Sequence, residues 1–387
     1  MPWWTPESTT DRLTKALSPM TWLLQNSIVA LLALLALLLF LAGRRREQWR
    51  LACREVGARP AAVLSAGILA LYLAVALLDS IGWASPLREE ATGEILRNRQ
   101  GKVIYGPGKS LLDRLLAPLE QRTEESYSAP FAKTLFTPES GTDENGHLRR
   151  IHKPLRFPGK HPLGTDRIGR DVLLLSLKSI RTGIIVGLLT TLVAIPFALL
   201  LGVCAGYFGG WLDDAIQYLY TVVSSIPTVL FVAAFMVIFG NGLLQLCLAM
   251  GLASWTSLCR LLRAETLKLR EAEFVAAAKI LGVPPWKILL RHVVPNVLHV
   301  VLITTVLRFS SEVLSEAVLT YLGIGVGADT MSWGTMINDA RAELTRDPVV
   351  WWKLASAFLF MLGLVLPANI LGDALRDALD PRLRTQR

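Results

Sequence analysis

Charge is scarce in this chain. Asp, Glu, Lys and Arg make up 18% of its 387 residues, while 52% are hydrophobic. A soluble protein of this length carries more charge, so the composition argues for an integral membrane protein. Cysteine is scarce too. Cys53, Cys204, Cys247 and Cys259 are widely spaced, so neither a disulfide framework nor a metal site is indicated. Small buried thiols are the simpler reading. The phosphate-loop pattern Gly-x4-Gly-Lys-Ser/Thr is absent, so the sequence offers no such cradle for ATP. No cleavable leader is expected either. The first apolar run is too long and lacks a small-residue cleavage pattern. The net charge of +9 could suggest nucleic acid. Its Lys and Arg instead cluster beside apolar segments, as cytoplasmic flanks of membrane proteins do.

Long apolar runs are what the chain has in quantity. A membrane span needs roughly 20 such residues. Spans are expected near 21–42, 61–83, 180–207, 215–239, 243–263, 293–324 and 351–373, about seven in all. Arg44, Arg45, Arg46, Arg50, Arg54 and Arg59 follow the first and place that loop inside. The N-terminus then lies outside, and seven spans bring the C-terminus inside. Residues 84–178 contain no span and fall outside. Within them, Leu111, Leu112, Leu115, Leu116 and Leu119 suggest a short amphipathic helix. Asp166 and Asp171 read as caps for backbone donors rather than as catalytic carboxylates. Pro196 and Pro227 fall within spans and are expected to mark bends. The expected organisation is a two-span extension (1–83), an external segment (84–178) and a membrane domain (179–387) with a cytoplasmic loop at 264–292.

That loop has structure of its own. Phe274, Ala277, Ala278 and Leu281 fall at helical spacing, and Gly282 sits where the helix would end. Pro284 and Pro285 suit the first turn of a second helix. Trp286, Leu289, Leu290 and Val293 give that helix its own stripe. Arg260, Arg263, Lys268, Arg270, Lys279, Lys287 and Arg291 crowd the region and place it in the cytoplasm. In the next span, Arg308, Glu312 and Glu316 stand four apart on one helix face. Charges at membrane depth are costly, so these three either line a pathway or fix helix packing. Arg308 and Glu312 are spaced to form an internal pair.

The stretch from Glu273 to Pro295 resembles the coupling loop of bacterial ABC importer permeases. That family's pattern is Glu-Ala-Ala, three residues, Gly, nine residues, then Ile-x-Leu-Pro. Ala276-Ala277-Ala278, Gly282 and Pro295 stand at the matching spacings. Ala276 replaces the first Glu, and His292-Val293-Val294 replaces Ile-x-Leu. Glu273-Phe274-Val275 just upstream is similar to the dipeptide and oligopeptide branch. Further elements resemble that branch: residues 161–172, 206–213, Glu316-Ala317 with 321–325, Ser332-Trp333-Gly334, and 372–384. The resemblance covers about residues 160–387. It departs at residues 1–83, which hold two spans where the family usually has one.

The resemblance implies an all-α polytopic membrane protein with an ABC importer-type permease core. Its function would be a transmembrane subunit importing di- or oligopeptides across the bacterial inner membrane. Nickel or another small solute is the alternative cargo. A secondary transporter is a lesser alternative, because no convincing internal repeat is seen. A membrane-embedded enzyme would need convergent polar groups inside the spans, and only the Arg308–Glu316 face offers any. The resemblance further implies no catalytic residue, metal or cofactor in this chain, with ATP bound by partner subunits. Those partners would be a homologous second permease, two ABC ATPases and an external substrate-binding protein, besides membrane lipid and without nucleic acid. The coupling residues carried over are Glu273, Ala276, Ala277, Ala278, Lys279, Gly282, Pro284 and Pro295.

Overall fold

The computed structural model describes residues 26–27, 54–86, 95–97, 103, 105, 108–142, 148–327 and 330–379. Nearly all of the expected first span, the arginine cluster before Arg54 and the tail after residue 379 lie outside these. The apolar runs form long helices, and two of them run on through an internal proline, Pro196 and Pro367, so Pro196 does not end its span as Pro227 does. The long helices are α1 (Pro60–Ser80), α4 (Val172–Phe208), α7 (Leu243–Arg270), α10 (Val294–Tyr321) and α12 (Trp352–Leu379). Between α4 and α7 stand α5 (Gly210–Ser225) and α6 (Thr228–Phe239), which meet at an 84° bend. Pro227 causes the break. It lacks an N–H and forces Ile226 into extended backbone (φ −84°, ψ 123°). Counting the bent pair as one span, the described residues hold six of the seven expected.

α4 is the spine. Asp171 caps its start by accepting from the Leu173 N–H at 2.8 Å, and Gly209 ends it at φ +66°. α7 lies against it at a glycine seam. A Cβ on Gly202 would come within 2.6 Å of the Cys259 carbonyl oxygen, and one on Gly206 within 2.7 Å of the Arg263 oxygen. Small residues let membrane helices approach this closely. Gly187, further along, makes room for the ring of Phe309 on α10.

The segment before α4 departs from an all-helical reading in two places. Short antiparallel pairs form between β1 (Gly82–Trp83) and β2 (Lys109–Ser110), and between β3 (Glu139–Thr142) and β4 (Leu148–Ile151). The expected amphipathic helix splits into α2 (Leu111–Leu115) and α3 (Ala117–Glu120), with Pro118 in the first turn of α3. Polar groups tie this segment to the membrane helices. Ser110 donates to Asp79 on α1 at 2.8 Å, and Lys178 on α4 pairs with Asp113 at 2.5 Å. His161 donates to Asp171 at 3.0 Å and lies 3.5 Å from Glu124 on its other side. Glu124 accepts the N–H groups of Arg156 and Phe157 at 2.9 and 2.8 Å. Trp352 at the start of α12 donates to the Thr165 carbonyl at 2.9 Å. Asp166, the other expected cap, serves loop amides instead, those of Ile168 and Arg170.

Candidate coupling surface and membrane cavity

α8 (Glu273–Ile280) follows α7 after a two-residue turn, with Glu273 favourably placed in its first turn. It ends as glycine at such a position dictates. The Val283 N–H bonds the Ala278 carbonyl at 3.1 Å and the Gly282 N–H bonds the Lys279 carbonyl at 3.0 Å. Gly282 takes φ +73°, completing a paired C-terminal cap. Pro284 and Pro285 then open α9 (Pro285–Ile288). A π-helical turn, Leu289–Val293, joins α9 to α10. Pro295 accounts for that widened turn, since it cannot donate to the carbonyl four residues back and its ring would crowd it.

Each expected stripe is split between a buried and an exposed face. In α8 the inward residues are Val275 and Ala278, the latter 7% exposed. In the second helix they are Ile288, Leu289 and Val293. All five belong to one core with the ends of α4 and α7. Phe274, Ile280, Leu281, Trp286 and Leu290 are exposed, Ile280 at 86% and Leu281 at 80%. The hairpin thus grips its own protein by one apolar face and shows a second outward. Glu273, Ala276, Ala277, Lys279, Gly282 and Pro284 surround that outer face, and Ala278 does not belong to it. Lys279 also sits 5.5 Å over the ring of Tyr207 at the end of α4. Pro295 lies in the first turn of α10, beyond the hairpin.

The three intramembrane charges do not form one ion-paired row. Arg308 donates to the Ser254 carbonyl on α7 at 2.9 Å, and no ion pair within 4 Å forms with Glu312. The expected internal pair is therefore absent. Glu316 is 1% exposed, accepts from Thr320 at 2.8 Å and packs under the start of α11 (Trp333–Leu344) at Gly334, where a Cβ would lie 3.0 Å from its oxygen. Spacing of four turns about 40° further around a helix at each step, so eight residues separate Arg308 from Glu316 by about 80°. That drift sends Glu316 into packing.

Glu312 instead lines a cavity of about 400 Å³ between the α5–α6 bend, α7 and α10. Arg260 and Arg308 line it too, with Ser224, Ser254, Ser257 and Ser311. Arg260 stands 5.2 Å from the Tyr220 ring and reaches the Ser224 hydroxyl at 3.4 Å. Sequence reading counted Arg260 only as a cytoplasmic flank and gave the serines no role. Their spacing, Ser254 with Ser257 and Ser311 with Ser315, was the available signal.

Gly108-Lys109-Ser110 shares its residues with the end of a phosphate loop, yet Val103 stands where the first glycine belongs. Lys109 pairs with Glu120 at 2.9 Å. Ser110 caps α2. Both are taken up by the fold.

Residues 178–385 match the family described as the binding-protein-dependent transport system inner membrane component. Three relatives illustrate its membership. The oligopeptide transport system permease protein OppC of Bacillus subtilis is 34% identical over 62% of this chain and 76% of its own length. The dipeptide transport system permease protein DppC of Alkalihalophilus pseudofirmus is 34% identical over 65% and 82%. The glutathione transport system permease protein GsiD of Pectobacterium atrosepticum is 33% identical over 58% and 74%. A solved chain of the MetNI methionine ABC transporter is similar at a TM-score of 0.41 and 14% identity, over 54% of this chain and 95% of that one, too loosely to add to these matches. With more than half of its length matched, the chain belongs to the binding-protein-dependent inner membrane components, the permease subunits of ABC importers.

Proposed function

We propose that the chain is one transmembrane subunit of an ATP-driven importer of peptides. The relatives transport oligopeptides, dipeptides and glutathione by name, and the nickel alternative has no such support. ATP is hydrolysed by partner subunits. The complex pairs this chain with a homologous permease, two ATPases and an external binding protein. The N-terminus lies outside the bacterial inner membrane and the C-terminus inside. Residues 84–178 form the outer segment facing the binding protein, and residues 264–292 carry the coupling loop.

The outward apolar face of the hairpin is the observation that carries this reading. Ile280, Leu281, Trp286 and Leu290 stand exposed beside a crowd of Lys and Arg, a composition that belongs outside the lipid. Burying one such side chain contributes on the order of 1.5–3 kcal/mol. An exposed apolar patch rimmed with charge marks a protein partner. The stiff Gly282–Pro285 turn and the inward grip on α4 and α7 make the docked hairpin a lever. Closure of the ATPase pair pushes it, and the helices behind it turn the pathway from one side to the other.

Leu281→Asp and Gly282→Asp test this. Both variants are expected to insert in the membrane, to abolish ATP-driven peptide uptake and to lose co-purification with the ATPase. Normal uptake in both would refute the lever. Ala278→Asp is a poorer test, since that side chain is buried and its loss would disturb packing.

A further inference from the structure

We propose that the cavity under the α5–α6 bend is a cargo site in which Glu312 receives the α-ammonium group of the passing peptide. This rests on the peptide-import reading above. Glu312 is only 8% exposed. Among the described residues it makes no hydrogen bond and no ion pair within 4 Å. What access it has is into the cavity that it lines. A carboxylate at membrane depth is costly without a partner, and such groups face a pathway or a counter-ion. The near cation, Arg308, is held by the Ser254 carbonyl. Arg260, the other, lies over Tyr220. The cavity therefore presents one free acceptor and two cations fixed by their own contacts, with serine hydroxyls between them.

That arrangement suits a zwitterion. An ammonium group answers Glu312, and the carboxylate or carbonyl groups of the cargo answer the guanidinium groups and hydroxyls. About 400 Å³ lies near the low end for small-ligand sites, enough for the leading residues of a peptide. A single charge-assisted contact suits a transporter, because a transit site must bind strongly enough to admit cargo and weakly enough to release it.

The complete transporter, with second permease, ATPases and binding protein, is reconstituted in proteoliposomes. A tripeptide with a free amino terminus is compared with its N-acetylated form at saturating concentration. Glu312→Gln is expected to lower uptake of the free-amine cargo per ATP hydrolysed by roughly tenfold, the scale of one hydrogen bond to a charged group. Uptake of the acetylated form changes less than twofold, and Glu312→Asp restores most of the loss. If the wild type already excludes the acetylated form, rescue by Asp decides. Equal loss of both cargoes, no loss of either, or failure of Asp to rescue overturns the assignment. So does loss of binding-protein-stimulated ATP hydrolysis in Glu312→Gln, since the carboxylate would then be structural. A wild-type complex that takes up neither peptide but hydrolyses ATP overturns the peptide reading itself.

Discussion

Gly169 and Gly282 adopt nearly the same backbone conformation, φ +76° and +73°, in opposite surroundings. A Cβ on Gly169 would fall 1.8 Å from the Glu124 carbonyl oxygen. A Cβ on Gly282 would meet nothing within 4 Å. The segment before α4 has closed in on its own backbone. There, almost wholly buried, His161 donates to Asp171, Glu124 takes the N–H groups of Arg156 and Phe157, and Thr165 bonds Ser126 and Ser128. The hairpin between α7 and α10 has closed on one face only and leaves large apolar side chains outside. The set buried around Gly169 is held within the chain, although Phe131 and Ile168 nearby stand exposed. The hairpin has a stiff shape and a vacant apolar surface, which is how a part waiting for a partner is built.

Matched substitutions test that contrast. Gly169→Ala adds both left-handed strain and a backbone clash. It should destabilise the folded protein by roughly 3 kcal/mol or more, read as a lowered thermal midpoint in detergent and faster proteolysis of residues 120–171. Gly282→Ala adds strain alone. About 1–2 kcal/mol is expected, read as cleavage confined to residues 273–293 with an unchanged thermal midpoint elsewhere. Equal effects at the two sites would dissolve the distinction.

Acid gives the smallest effect. Burial alone would raise the Asp113 carboxyl, but Lys178 and the Ser110 N–H together hold it below the ordinary value of 3.8. A depressed carboxylate contributes stability above that ordinary value and loses it as pH falls through the folded one. The Asp113–Lys178 tie should therefore weaken below about pH 4, loosening the segment before α4 to protease, while the exposed hairpin responds no differently. Asp113→Asn should flatten the pH dependence.

The hairpin was readable because its signals are local. Helical spacing, Gly282 and the two prolines act within a few residues of themselves, and the structure places the cap and the turn as those residues direct. Which apolar residues face inward was not readable, because α8 carries apolar residues on two faces and only α4 and α7 decide between them. The Arg308–Glu312 pair failed for a similar reason. Spacing of four permits the pair, but the Ser254 carbonyl on another helix competes for the guanidinium. The break at Pro227 could be named from the residue, although its 84° bend depends on what the next helix packs against. The buried set around His161 joins residues 124, 161 and 171 through loops that carry no periodic signal at all.

The bend at Pro227 also says something about hydration. A span that stops and restarts leaves carbonyls at the end of α5 and N–H groups at the start of α6 outside any helical ladder. Hydrocarbon cannot satisfy such groups. At that depth the flank of the molecule must therefore be wet or covered by protein, and lipid tails are kept from it by the backbone alone, whatever side chains stand there.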